Sequence, residues 1–214
     1  MKKILILTLS IIGLNFSNTW AQQDAKAKGV LDKMSAKING MSSMKANFNL
    51  IAKDAKGKVI LNENGVLQMK GENYNVSLGK QVMISDGKTM WTYMAENKEV
   101  QISNFDPDEV QFSPKKIFPT NYAKEYNYTY AGERVVNGKK VDIIYLTPKN
   151  KKNYKSVTIL VDKTGMITSG SIEETNGGYY TLNLKGVQTN AASSDAIYTF
   201  DASKYPGVEV IDIR

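Results

Sequence analysis

The chain is 214 residues long, has neither cysteine nor histidine, and carries 28 basic against 21 acidic side chains, a formal charge of +7. It therefore lacks the commonest general base, the thiol nucleophile, and the usual ligands of zinc, haem and iron–sulfur clusters. With no disulfide available it must hold together by burial alone, which about 190 residues can manage.

Met1-Lys2-Lys3 is followed by an apolar block from Ile4 to Leu14, then by Thr19-Trp20-Ala21 and the polar Gln22-Gln23-Asp24. A short basic start, an apolar block too brief for a membrane span and a small residue before a polar run predict a signal peptide over residues 1–21. Residues 22–214 contain no linker-like stretch and are expected to form a single domain. No Cys follows the leader to carry lipid, so the exported chain is expected to be soluble and not lipid-anchored. Without Lys2 and Lys3 the balance is 26 basic to 21 acidic residues, a surplus of five. The densest basic cluster, Lys149 to Lys155, falls between two predicted strands and reads as a solvated hairpin tip. An anionic membrane or an acidic partner is open to it through electrostatic attraction; nucleic acid is not expected outside the cytoplasm.

Along the chain, Ala27, Val30, Leu31, Met34 and Ile38 recur at helical spacing between a capping Asp24 and a stop at Gly40. This predicts a helix packed on a sheet. After Met41 and Met44 the pattern becomes alternating. Ala46, Phe48 and Leu50 mark a first strand, a turn at 54–57 leads to Lys58–Leu61, and a further strand starts after Gly65 with Leu67 and Met69 on one face. Tyr74, Val76 and Leu78 follow. Then come three short strands, Val82–Ser85, Thr89–Met94 and Glu99–Ser103, joined by turns at Asp86-Gly87 and Asn97-Lys98.

Pro107, Pro114 and Pro119 break the rhythm, and Asp106-Pro107-Asp108-Glu109 reads as a helix start within a crossing connector or lid. Alternation resumes at Tyr126, Tyr128 and Tyr130 and continues through Asn137-Gly138, Val141–Thr147, Ser156–Val161, Met166–Glu173 and Tyr179–Val187, ending with Val208–Ile213. About eleven strands with few helices cannot be covered by helix on both faces, so the sheet must curl on itself. A curled sheet with a helix in its mouth encloses a cavity.

Glu173-Glu174 is the one paired carboxylate, and neighbours on a strand point to opposite faces, so the two cannot act on one bond. The middle strand carries Trp91 and Tyr93 on one face and Met90 and Met94 on the other. Soft and aromatic groups on both faces suit a core on one side and a hydrophobic cleft on the other.

Ile84-Ser85-Asp86-Gly87-Lys88-Thr89-Met90-Trp91-Thr92-Tyr93 resembles the "SDGKTLW-Y" signature of the outer-membrane lipoprotein carrier proteins, the LolA family. Gly65–Lys70 resembles the strand that leads into it, Thr147-Pro148 a strand end, and Val161–Ile167 a later hairpin. Phe200 with Pro206-Gly207-Val208-Glu209-Val210-Ile211-Asp212 is similar to the "F-F-P-GVDVID" ending. The resemblance implies a mainly β fold: an incomplete antiparallel β-barrel of eleven strands, closed by an N-terminal helix and a mid-chain lid, around a hydrophobic cavity for acyl chains. It also implies a monomeric periplasmic chaperone without catalytic residues or cofactor. Such a protein takes lipoproteins from an inner-membrane ABC transporter and passes them to an outer-membrane acceptor. Gly71 stands where the family's founding members carry a latching Arg, so the latch is absent or rebuilt with Lys70.

Phe48, Leu50, Leu67, Met69, Tyr74, Val76, Ile84, Trp91, Tyr93 and Ile102 are the candidates for the cavity lining. Two other functions fit the same sheet: a binding module or sensor for another hydrophobe such as a glycolipid, and an enzyme acting on a lipid or pigment precursor. The lack of His and Cys disfavours the last.

Overall fold

The computed structural model describes residues 24–106, 118–191 and 194–214. The signal peptide expected over residues 1–21 and the mid-chain helix start and lid expected from Pro107 lie outside the described residues.

Helix α1 spans Ala25–Asn39. One oxygen of Asp24 accepts the backbone N–H groups of Lys26 and Ala27, satisfying helix donors that have no partner in the helix itself. The other accepts the N–H of Tyr130 at 2.9 Å, so the same carboxylate ties the helix start to the sheet. Ala27, Leu31 and Met34 form a stripe with no exposed surface. Further along, the Tyr122 hydroxyl donates to Asp32 and the Ser35 hydroxyl to the Thr120 carbonyl. The helix is thus packed on the sheet, as its apolar spacing predicts.

All strands among the described residues belong to one sheet. The first meander comprises β1 (Met44–Lys53), β2 (Val59–Lys70), β3 (Asn73–Leu78), β4 (Gln81–Ser85), β5 (Thr89–Met94) and β6 (Glu99–Asn104). A one-turn helix α2 (Tyr122–Glu125) leads into the second, formed by β7 (Tyr126–Val136), β8 (Lys139–Pro148), β9 (Tyr154–Asp162), β10 (Ile167–Glu174) and β11 (Tyr179–Thr189). β1 pairs with β11 and joins the two meanders. Two 3-10 turns, Asp195–Tyr198 and Ala202–Lys204, precede β12 (Glu209–Asp212), which lies on β6. The order runs β12-β6-β5-β4-β3-β2-β1-β11-β10-β9-β8-β7, with β7 and β12 as unjoined edges, so the sheet curls without closing. At the β4–β5 turn Asp86 accepts the N–H groups of Lys88 and Thr89, and Gly87 takes φ of +85°. At the next turn the left-handed residue is Lys98, not Asn97.

The strand count and sense depart from expectation at two places. Val59–Lys70 is one continuous strand, not two strands separated before Gly65. Gly65 is there for close approach: a Cβ on it would stand 2.3 Å from Phe48 Cζ and 2.4 Å from the Ser77 carbonyl oxygen. Second, β12 pairs with β6 in parallel, whereas every other pair is antiparallel. A hairpin enforces antiparallel pairing, but β12 arrives from β11 by a long crossing connection and is free of that rule.

The main core lies on the concave side, where α1 covers β1 and β7–β11. Leu31, Met34, Leu50, Ile144, Leu146 and Ile159 are all buried there. On the convex side, the segment from Ser194 to Tyr205 lies over β3–β6. Tyr93 contacts the rings of Phe200 and Tyr205 at 5.7 and 4.5 Å, Asn75 donates to the Ile197 carbonyl at 2.7 Å, and Tyr198 is buried.

Candidate functional site

Strand register decides which side chains share a face. From Met44 on β1, a single row of facing residues crosses the first meander: Met69, Tyr74, Ser85, Met90 and Ser103. The next row runs from Ala46 through Leu67, Val76, Met83 and Thr92. Both lie on the concave side, because Met44, Ala46, Leu67 and Tyr74 are buried in the core cluster that contains α1. Tyr74 donates its hydroxyl to the Met90 sulfur at 3.7 Å and meets Phe105 edge to face, with centroids 5.6 Å apart. Sulfur is a weak acceptor, and burial pushes the Tyr74 phenol up to about 12.

At the end of the first row, between the last turn of α1 and the β2–β3 and β4–β5 turns, lies a cavity of about 620 Å³. Its apolar walls are Ile38, Met41, Met44, Met69, Phe105 and Phe118, with Gly71, Glu72 and Gly87 at the turns. Glu72 is the one charged side chain among its described lining residues. The volume falls in the range of about 300–1,000 Å³ typical of small-molecule pockets, and three methionines can repack around varied apolar shapes. A second cavity, about 300 Å³, lies beside the 3-10 turns and presents Lys45, Gln68 and Gln188 instead.

The ten lining candidates do not come together. Phe48, Leu50, Leu67, Met69, Tyr74 and Val76 point to the concave side, but of these Met69 alone borders the cavity; the other five are packed in the core cluster, each no more than 5 % exposed. Ile84, Trp91 and Ile102 form a facing row with Asn75 on the opposite, convex side, and Tyr93 faces Val100 there. The cause is the two-residue period of a strand: Met90 and Trp91 cannot share a face. Met41, Met44, Phe105 and Phe118 border the cavity and are not among the ten candidates. Hairpin register offered the signal for part of this, since counting outward from Met69 through the short β2–β3, β3–β4 and β4–β5 turns puts it in one row with Tyr74, Ser85 and Met90.

Gly71, at the position where the resemblance implies a latching Arg, has φ of +59°, and a Cβ there would meet nothing within 4 Å. Lys70 pairs with Asp195 at 2.6 Å.

Among the described residues no helix is long and apolar enough to cross a membrane. Residues 39–201 match the model of the family described as outer membrane lipoprotein carrier protein LolA. The chain is 29% identical over 220 residues to an outer-membrane lipoprotein carrier protein of Histophilus somni, the match covering all of this chain and 99% of that one. It is also 29% identical over 222 residues to the protein of the same name from Klebsiella pneumoniae, over the whole of both chains. Among solved structures, an uncharacterized conserved protein from Thermus thermophilus superposes with a TM-score of 0.57 at 9% identity, over 87% of this chain and 99% of that one.

Proposed function

This chain belongs to the family of outer membrane lipoprotein carrier proteins LolA, and we propose that it is a periplasmic chaperone that carries lipoproteins from the inner to the outer membrane with their acyl chains in the concave cavity. The observation that carries this reading is the cavity of about 620 Å³ walled by Met41, Met44, Met69, Phe105 and Phe118. Each methylene transferred from water to such a wall contributes about 0.8 kcal/mol, so a few acyl chains supply ample affinity with no bond made or broken. Adaptable methionines suit cargo that varies in chain length.

Met69 touches the acyl chains, its facing residue Tyr74 packs next to it, and Leu67, Val76, Phe48 and Leu50 continue the core away from the cavity. Ile84, Trp91, Tyr93 and Ile102 serve the fold instead, as the platform on which the C-terminal segment rests. Since burial is favourable, handover needs a donor that supplies lipoprotein against water and an acceptor more apolar than this cavity. An inner-membrane ABC transporter and an outer-membrane acceptor fill those roles.

A release assay tests the reading. Spheroplasts making a radiolabelled triacylated lipoprotein are incubated with the processed protein, and the soluble fraction is examined. Lipoprotein appearing in a soluble complex with the chain supports the reading; lipoprotein that stays in the membrane at every protein concentration contradicts it.

A further inference from the structure

Four segments at one end of the strands hold most of the net positive charge. The β1–β2 turn, the β10–β11 turn, the β8–β9 turn and α2 adjoin in that order. A Cβ on Gly177 would stand 2.9 Å from Ala55 Cβ, the N–H and hydroxyl of Thr175 both reach the Asn153 carbonyl at 3.1 Å, and Lys149 donates to the Ala123 carbonyl at 2.6 Å. Residues 53–60, 122–125, 149–155 and 173–179 together hold eight lysines against four carboxylates. That local surplus of four compares with five for the whole of residues 22–214.

The carboxylates are largely occupied. Asp54 accepts the N–H groups of Lys56 and Lys58, Glu173 pairs with Lys155 at 3.1 Å, and Glu174 accepts the Asn176 amide. Lys53, Lys56 and Lys58 on the first turn, Lys124 on α2, and Lys151 and Lys152 on the β8–β9 turn are exposed and make no ion pair among the described residues. Apolar groups stand between them: Val59, Ile60 and Tyr179 are 49%, 61% and 37% exposed. Val59 and Tyr179 flank Lys53 on its two neighbouring strands.

We infer that this end of the sheet docks on an anionic membrane surface. Exposed aliphatic and aromatic groups enter the headgroup boundary while surrounding lysines meet anionic headgroups, the two contributions that together hold a protein at an interface. The residue type favours lipid over an acidic protein. Every cation here is a lysine, a hydrated point charge suited to a diffuse field, while protein interfaces favour the planar fork of arginine and are depleted in lysine. The cavity is at the other end of β1: Met44 borders it, and Lys53 lies nine residues on, about 30 Å along the strand. Docking by the turns therefore leaves the cavity away from the bilayer and is independent of cargo.

Co-sedimentation of the processed protein with vesicles tests this. It should bind vesicles of phosphatidylglycerol and phosphatidylcholine, weaken steeply with added salt, and ignore phosphatidylcholine alone. Each near-surface lysine changes partitioning about fivefold, so Lys151→Glu with Lys152→Glu should weaken binding by roughly 25-fold or more, and Ile60→Ser should weaken it too. Lys139→Glu with Lys185→Glu makes the same charge change elsewhere and should retain binding. So should Met69→Glu, which alters only the cavity and separates this surface from the carrier reading. Circular dichroism verifies that each variant is folded. Equal binding to neutral vesicles, equal loss in the control pair, or no vesicle binding, including the case where an immobilised acidic polypeptide is bound instead, overturns the inference.

Discussion

The ring of Phe48 on β1 lies directly over the backbone of Gly65 on β2, with Cζ 2.3 Å from where a Cβ would stand. The aromatic ring supplies the packing that glycine cannot, and glycine lets two strands and a ring share one bend of the sheet. Gly65→Ala should therefore destabilise the protein by about 1–3 kcal/mol, because both Phe48 and the Ser77 carbonyl would have to shift. The midpoint of urea unfolding measures this; an unchanged midpoint would show that the close approach has no energetic consequence.

The two faces of the first meander should separate in mutants. Met69→Glu puts a carboxylate on the apolar wall of the cavity and should weaken binding of an apolar fluorescent probe by roughly tenfold or more, since a charge there loses hydration without gaining a partner. Trp91→Ser lies on the convex side and should lower thermal stability while leaving probe affinity unchanged. The reverse outcome would mean that the cargo face has been assigned to the wrong side.

Much of this arrangement was legible beforehand, and the illegible part has a physical reason. Thr89–Met94 was delimited as found, because Asp86-Gly87 marks its start and alternation its length. The α1 stripe through Ala27, Leu31 and Met34 was equally plain. Face assignment on β4–β6 was not, because the C-terminal segment covers the convex side, so the large apolar side chains Ile84, Trp91, Tyr93 and Ile102 stand on the face away from the cavity. A local pattern reports burial, not which partner does the burying. Gly65 misled for a similar reason: a glycine needed for close approach looks the same as one that ends a turn.

Phe200 holds the C-terminal segment in place through its stack with Tyr205, centroids 4.7 Å apart, and its contact with Tyr93. Phe200→Ala should cost about 1–3 kcal/mol. It should also raise amide hydrogen exchange across Ser194–Asp212 well above that of β1. Uniform loss of protection over the whole sheet would show instead that this segment unfolds only with the core.

Stability should fall at both extremes of pH. Asp24 is held below the usual carboxylate value chiefly by the Tyr130 N–H, then by that of Ala27, and Asp32 is lowered by Lys28 and Tyr122. A depressed folded value stabilises above the unfolded value and is lost as pH falls through it, so an acid limb begins below about pH 4. Asp24→Asn, which still caps the helix, should flatten that limb. Tyr74, pushed up to about 12 by burial, behaves oppositely: its contribution is complete below pH 10 and is lost as pH rises toward 12. Burial and the bond to Asp32 raise the Tyr122 phenol as well, so spectrophotometric titration should show two phenols ionising late, and Tyr74→Phe should remove one of them.

The most direct measurement is the identity of what the protein holds in the cell. The processed chain is purified from its own periplasm without detergent and analysed by native mass spectrometry, followed by lipid and peptide identification. The account predicts a lipoprotein bound through its acylated N-terminus, and its loss in Met69→Glu. A free glycolipid in the cavity, or an empty protein when lipoprotein export is blocked downstream, would contradict it.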